Sequence, residues 1–231
     1  MKIHGLQKMT LLDFPGRVAC TVFLSGCDFR CPYCHNFELA EGKSPAVMTE
    51  EELMDFLKKR KGLLDGVAFT GGEPCLHKDL PGLLYRVKEQ GFAVKLDTNG
   101  YHPDMLARIL DEKLVDYTAM DIKNSPGKYA QTVNRTSFDL SVIEDSISLL
   151  MNSDTDYEFR TTVVKEFHEA EDFPLIGEMI RGADRYYLQK FTDRDSVPYG
   201  GLHAPSTEEM HLYLDIVSAY VSEAQLRGVD L

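Results

Sequence analysis

No run among the 231 residues stays apolar for long enough to cross a bilayer, and residues 1–5 carry a lysine with no apolar core behind it. Neither a membrane span nor a secretory leader is therefore expected. Positive charge is also short: 25 Lys and Arg stand against 37 Asp and Glu, a formal net charge of -12. Nucleic-acid binders displace counterions with basic side chains, so a phosphate-backbone partner is not expected either. With five cysteines and no second cysteine pair, the chain reads as a cytoplasmic protein whose thiols are metal ligands or catalytic groups rather than disulfides. No internal repeat, low-complexity tract or interdomain linker divides it, so 1–231 is read as one domain with an ordinary globular composition and a sizeable core.

What is present is concentrated in one stretch, Ser25-Gly26-Cys27-Asp28-Phe29-Arg30-Cys31-Pro32-Tyr33-Cys34-His35-Asn36. Its three cysteines, Cys27, Cys31 and Cys34, are too few to saturate a tetrahedral ion. Two readings stand: a zinc site completed by a nitrogen from His35 or elsewhere, or three corners of a 4Fe-4S cluster with one open iron. Cys20, within an apolar run, and Cys75, after Pro74, read as buried thiols; two strays cannot hold a second four-cysteine cluster.

Around this stretch, apolar runs alternate with helical patterns. Strands are expected at 18–24, 66–70, 93–96, 117–122, 157–164 and 186–191. Helices are expected from Thr49 with Glu52 as a capping box, over 80–90 and 103–111, through Leu140 to Leu150, through Leu175 to Ile180, and from Ser206 with Glu209. Six βα repeats of this length predict a partial (β/α)6 TIM-like barrel, open on one side. The segment 192–206 has no periodicity and reads as a flap or a plain surface loop. The basic run Lys58-Lys59-Arg60-Lys61 reads first as a solvated helix C-terminus.

Polar clusters recur at the ends of the first four expected strands: the cysteine loop, then Gly71-Gly72-Glu73-Pro74, then Asp97-Thr98-Asn99-Gly100, then Asp121-Ile122-Lys123. If those strands are parallel, all four clusters meet on one rim. Gly71 and Gly72 let backbone approach a ligand closely, and Glu73 either fixes the turn or takes charge from an ammonium group. Asp97 and Asp121 repel one another unless a cation intervenes, and Lys123 supplies that charge or grips a ligand carboxylate.

The cysteine spacing with Tyr33 before the third cysteine resembles the radical S-adenosylmethionine (SAM) enzymes. The longer pattern, from Asp13-Phe14-Pro15-Gly16-Arg17 to Cys34-His35-Asn36, is similar to the glycyl-radical-enzyme activases, and most closely to the activators of anaerobic ribonucleoside-triphosphate reductase. That resemblance implies one 4Fe-4S cluster on the three cysteines and SAM surrounded by Tyr33, His35, Gly71, Gly72, Glu73, Pro74, Asp97, Thr98, Asn99, Asp121, Ile122, Lys123 and Arg160. It also implies a monovalent cation at Asp97, Thr98 and Asp121, and no side-chain acid or base. The protein partners implied are a glycyl radical enzyme as substrate and a flavodoxin or ferredoxin-type electron donor. Asp13 is then a contact for the partner's glycine loop, or else a cap on the turn into the first strand. Many activases have Asp-Gly-Pro-Gly there, and Phe14 departs from that toward the reductase activators. Phe191 stands where some activases place a histidine. A radical SAM enzyme acting on a small molecule or peptide, and a non-catalytic zinc module, are the alternatives.

Overall fold

The computed structural model describes residues 1–229. Strand β1 (Lys2–Ile3) pairs with β4 (Met48–Thr49) as a small ribbon beside the main sheet. That sheet holds β2 (Gly5–Thr10), β3 (Ala19–Leu24), β5 (Gly66–Gly71), β6 (Ala93–Thr98), β7 (Tyr117–Asp121), β8 (Asp156–Val163), β9 (Arg185–Lys190) and β10 (Glu223–Arg227). From β3 to β10 the strands are neighbours in chain order and parallel, and β2 pairs antiparallel with β3 at the edge. The helices are α1 (Phe37–Ala40), α2 (Glu50–Lys58), α3 (Leu80–Glu89), α4 (Pro103–Asp111), α5 (Tyr129–Thr132), α6 (Ser141–Met151), α7 (Asp172–Met179) and α8 (Thr207–Val217).

The expected α/β order holds, and a strand is added at each edge. β3 is buried along nearly its whole length, as a strand covered on both faces must be. The two capping boxes form as the sequence implies, Thr49 with Glu52 on α2 and Ser206 with Glu209 on α8. Leu53, Leu57, Leu83, Leu84, Ile109 and Ile143 carry the helices onto the sheet. β2 and β10 escaped notice because edge strands need little apolar surface: Gln7, Lys8 and Met9 are exposed, and no residue of β10 is fully buried.

One aromatic closes the bottom of the inner face. Ala19, Gly66 and Ala93 are the first residues of three adjacent strands and lie in register with one another. They form a row of small residues under the ring of Phe14, which is 2% exposed and lies 6.3 Å from the ring of Tyr117. A Cβ at Gly66 would sit 2.8 Å from that ring and 2.9 Å from Ala93 O, so both the phenylalanine and the neighbouring strand keep that position small. Phe14→Ala empties the socket and is expected to cost about 3 kcal/mol in urea denaturation. A change under about 1 kcal/mol would mean that the socket collapses freely around the smaller side chain.

Candidate functional site

The C-terminal ends of β3, β5, β6, β7 and β8 surround a cavity of about 460 Å³. Cys27, Cys31, Cys34, Tyr33, His35, Gly71, Gly72, Glu73, Asp97, Thr98, Asn99, Asp121, Lys123 and Arg160 all line it, and so does Asp13. The sequence-based convergence on one rim is thus real. What several of these residues do there differs from expectation.

The glycine pair makes room for protein rather than for a ligand. Gly72 N–H donates to Leu24 O at 2.8 Å and Glu73 N–H to Gly26 O at 2.7 Å, docking the turn after β5 against the start of the cysteine loop. A Cβ on Gly71 would fall 2.3 Å from Leu24 O, and one on Gly72 would fall 2.0 Å from Gly26 O. Gly71 also has φ 117°, a conformation that favours glycine. Glu73 is not free for an ammonium group. Its carboxylate is 1% exposed and accepts from Cys75 N–H at 2.9 Å, Thr98 Oγ at 2.8 Å and Asn99 N–H at 2.7 Å. Burial raises its pKa, and these three donors do not fully offset the effect. Pro74 opens a 3-10 turn, Pro74–Leu76, that carries Cys75 into the core.

Side chains supply positive charge between Asp97 and Asp121. Arg160 on β8 donates Nε–H to Asp121 Oδ1 at 2.9 Å and brings Nη1 within 3.6 Å of Asp97 Oδ1. Lys95 pairs with Asp97, and Lys123 Nζ donates to Asp121 Oδ2 at 2.9 Å. Burial presses both carboxyls upward, but Arg160 with Lys95 on one and with Lys123 on the other outweighs it and holds both below the usual carboxylate range. Thr98 Oγ donates to Glu73 and accepts from Gly100 N–H, which fixes its rotamer at the rim. Ile122 is fully buried in the core and presents only backbone groups, its N–H bonded to Arg160 O.

The cysteine loop is braced from several directions. Arg30 donates to the carbonyls of Cys27 and Phe29, Asn36 to Gly71 O, and Asp28 accepts from His102 at 2.6 Å. Cys27, Cys31 and Cys34 are free thiols facing one cavity. Burial pushes Cys27 up to about 12 and Cys31 up to about 11, so they need a bound cationic centre to be thiolates. Among the described residues no three His, Cys, Asp or Glu side chains are grouped to hold a single ion. Three thiols on one loop facing one cavity suit a 4Fe-4S cluster, one cysteine to each iron. The hydroxyl of Tyr33 is buried beside Cys31 and Lys123 with no hydrogen-bond partner, a vacancy for a ligand's polar atom.

Some lining residues had no sequence signal strong enough to be chosen. Lys95 does not line the cavity but pairs with Asp97, which does; a buried lysine between Val94 and Leu96 was its only sequence signal. Thr162 and Gln189 sit near the ends of β8 and β9, and Arg194 lies in the 192–206 segment. His35 joins that segment to the cysteine loop: its ring stacks on Phe191 at 5.6 Å and its Nε2–H donates to Thr192 O at 2.7 Å. Phe191 thus holds His35 rather than a ligand. Asp13 accepts from Thr21 Oγ at 2.5 Å while lining the cavity.

With this geometry in view, comparison with known proteins is informative. Residues 21–172 match the model of the radical SAM superfamily. A Methanocaldococcus jannaschii protein, provisionally named a glycyl-radical enzyme activating enzyme, is 32% identical over 99% of this chain and 96% of its own. The pyruvate formate-lyase-activating enzyme of Clostridium pasteurianum is 39% identical over 53% of this chain and 52% of its own. Streptococcus suis SuiB bound to S-adenosylmethionine superposes with TM-score 0.64 over 90% of this chain and 52% of that one, at 13% identity, a likeness of fold alone.

Two outcomes test this description. Gly72→Ala is expected to destabilise by about 2–3 kcal/mol, while Gly82→Ala, in α3 with nothing within 4 Å of its Cβ, stabilises slightly or not at all. Equal denaturation midpoints for the two would refute the close docking. His168 accepts Val164 N–H on Nδ1 and donates Nε2–H to Lys123 O at 2.9 Å, so it is the neutral tautomer that supports the Lys123 backbone. Burial depresses its pKa below 6.5. The unfolded chain takes up that proton first, so stability falls as pH drops below about 6.5 and until the folded-state pKa is reached. His168→Gln should flatten this part of the stability profile.

Proposed function

Since the chain belongs to the radical SAM superfamily, among its glycyl-radical-enzyme activating members, we propose that its substrate is a backbone glycine of anaerobic ribonucleoside-triphosphate reductase. Members of this superfamily use a 4Fe-4S cluster and SAM. When bound, the cluster supplies the electron that splits SAM into methionine and the 5'-deoxyadenosyl radical that removes a hydrogen atom.

The chain's own residues bind, orient and exclude water. Cys27, Cys31 and Cys34 would hold the cluster, leaving it a site for SAM. Lys123 and Arg160, already paired with Asp121 and Asp97, present cationic edges to the amino-acid end of SAM. Tyr33 offers its unpartnered hydroxyl. Gly71, Gly72, Glu73 and Pro74 act through the turn that fixes the cysteine loop, and Asp97, Thr98, Asp121 and Ile122 through the rim that carries it. Asp13 stands on the substrate side of the cavity. The observation that carries this reading is three free thiols sharing a cavity with paired buried charges that include two cations, Lys123 and Arg160, on its wall. Phe14 in its small-residue socket supports the reductase as partner, because the Asp13-Phe14-Pro15-Gly16 run departs from the form of other activases toward that of the reductase activators. Five free thiols and the absence, among the described residues, of a helix long and apolar enough to cross a membrane support a cytoplasmic setting. A flavodoxin or ferredoxin-type protein is the electron donor.

The test is anaerobic electron paramagnetic resonance of the reconstituted, reduced protein with SAM and the reductase. A glycine-centred doublet that disappears with Cys31→Ala is expected. SAM cleavage without that doublet would remove the reductase as partner, and a colourless protein without a cluster signal would remove the whole reading.

A further inference from the structure

We infer that Asn99 sets the reduction potential of the cluster by donating a side-chain N–H to the sulfur of Cys27, an assignment that rests on the proposed ligation by Cys27, Cys31 and Cys34. The contact is Nδ2 to Sγ at 3.6 Å. A carboxamide can be turned either way, and here its neighbours decide the orientation. The backbone N–H of Asn99 donates to Glu73 Oε2 at 2.7 Å, which anchors the residue at the end of β6. Its Oδ1 accepts Tyr101 N–H at 2.9 Å, so that end of the carboxamide must be oxygen. The end left facing Cys27 is therefore the NH₂ group. Phe29 N–H approaches the same sulfur at 3.4 Å.

Asn99 is 6% exposed, so water does not replace it easily as a donor to that sulfur. Hydrogen bonds to ligating sulfurs stabilise the more negative, reduced form of a cluster and raise its potential. The step is the entry of one electron from an external low-potential donor, with no bond broken and no proton moved. This gives Asn99 a role other than the SAM contact that the resemblance implies. The buried carboxylate of Glu73 holds the donor in place and adds negative charge nearby, so the amide also offsets the effect of its own anchor.

The experiment is a redox titration of anaerobically reconstituted protein with dithionite and no SAM, followed by electron paramagnetic resonance, on the unmodified chain and on Asn99→Ala, Asn99→Ser and Asn99→Asp. Iron and sulfide contents should stay near those of the unmodified protein, while the midpoint moves negative. The expected drop in the reduction equilibrium constant is about tenfold for Ala and Ser, which is about 59 mV for one electron. Asn99→Asp keeps the acceptor for Tyr101 N–H but turns an anionic oxygen to the sulfur, so it should move further in the same direction. Midpoints unchanged in all three, or variants none of which assembles a cluster, would overturn the inference, since a tuning role leaves assembly to the cysteines. Cys27→Ala separates the two levels. Full iron and sulfide in that variant would defeat the ligation reading itself; loss of iron there with unshifted Asn99 midpoints defeats only the role of Asn99.

Discussion

The carboxylate of Glu73 ties the turn after β5 to the end of β6. It sits at the end of β5, nearly sealed from solvent, and its oxygens gather N–H and O–H groups from the 3-10 turn and from the end of β6. Its own N–H holds Gly26, the residue before Cys27. One residue, through its backbone and its carboxylate together, thus fixes the spacing between the cysteine loop and two neighbouring strand ends. Removing it would leave three buried donors without partners, each costing on the order of 1–3 kcal/mol. That burial still raises its pKa despite those donors shows that the group is held at some expense to the fold, as is common where a site rather than stability sets the requirement.

The second constraint is the ladder of Lys95, Asp97, Arg160, Asp121 and Lys123 across β6, β7 and β8. An isolated charge inside a sheet is costly, and each of these becomes tolerable only because its neighbour has the opposite sign. Because Arg160 reaches both carboxylates, the ladder behaves as a unit. It keeps Asp97 and Asp121 ionised and Lys123 charged, although burial opposes both. A ligand that bears its own ammonium and carboxylate groups can exchange contacts with such a ladder without leaving either sign bare.

Much of this was legible in the sequence, because strand ends and capping boxes are local patterns. Thr49 with Glu52 and Ser206 with Glu209 announce their helices within four residues. The cysteine spacing, the glycine pair and the carboxylates at strand ends are likewise readable by position. What was not legible is which partner each side chain finds. Arg160 lies far along the chain from Asp97, and only parallel register brings them together. Gly71 and Gly72 were rightly read as sites of close approach, but the chain that approaches is Leu24 to Gly26, and no local pattern names it. Edge strands β2 and β10 were missed for the opposite reason, having too little burial to leave a periodic trace.

Asp13 and the cysteine loop are joined through one strand, β3. Phe14 is locked into the small-residue row at the bottom of the inner face, and the residue before it, Asp13, is thereby held at the cavity wall. Asp13 bonds Thr21 in the middle of β3, and the end of the same strand delivers Cys27. A glycine in place of Phe14 would leave that socket empty and the Asp13 turn anchored only by its bonds to Thr21 and Thr10. The row of Ala19, Gly66 and Ala93 is thus matched to Phe14 in a way that neither the motif nor the strands reveal singly. The His35 contact with Thr192 braces the cysteine loop on its other side.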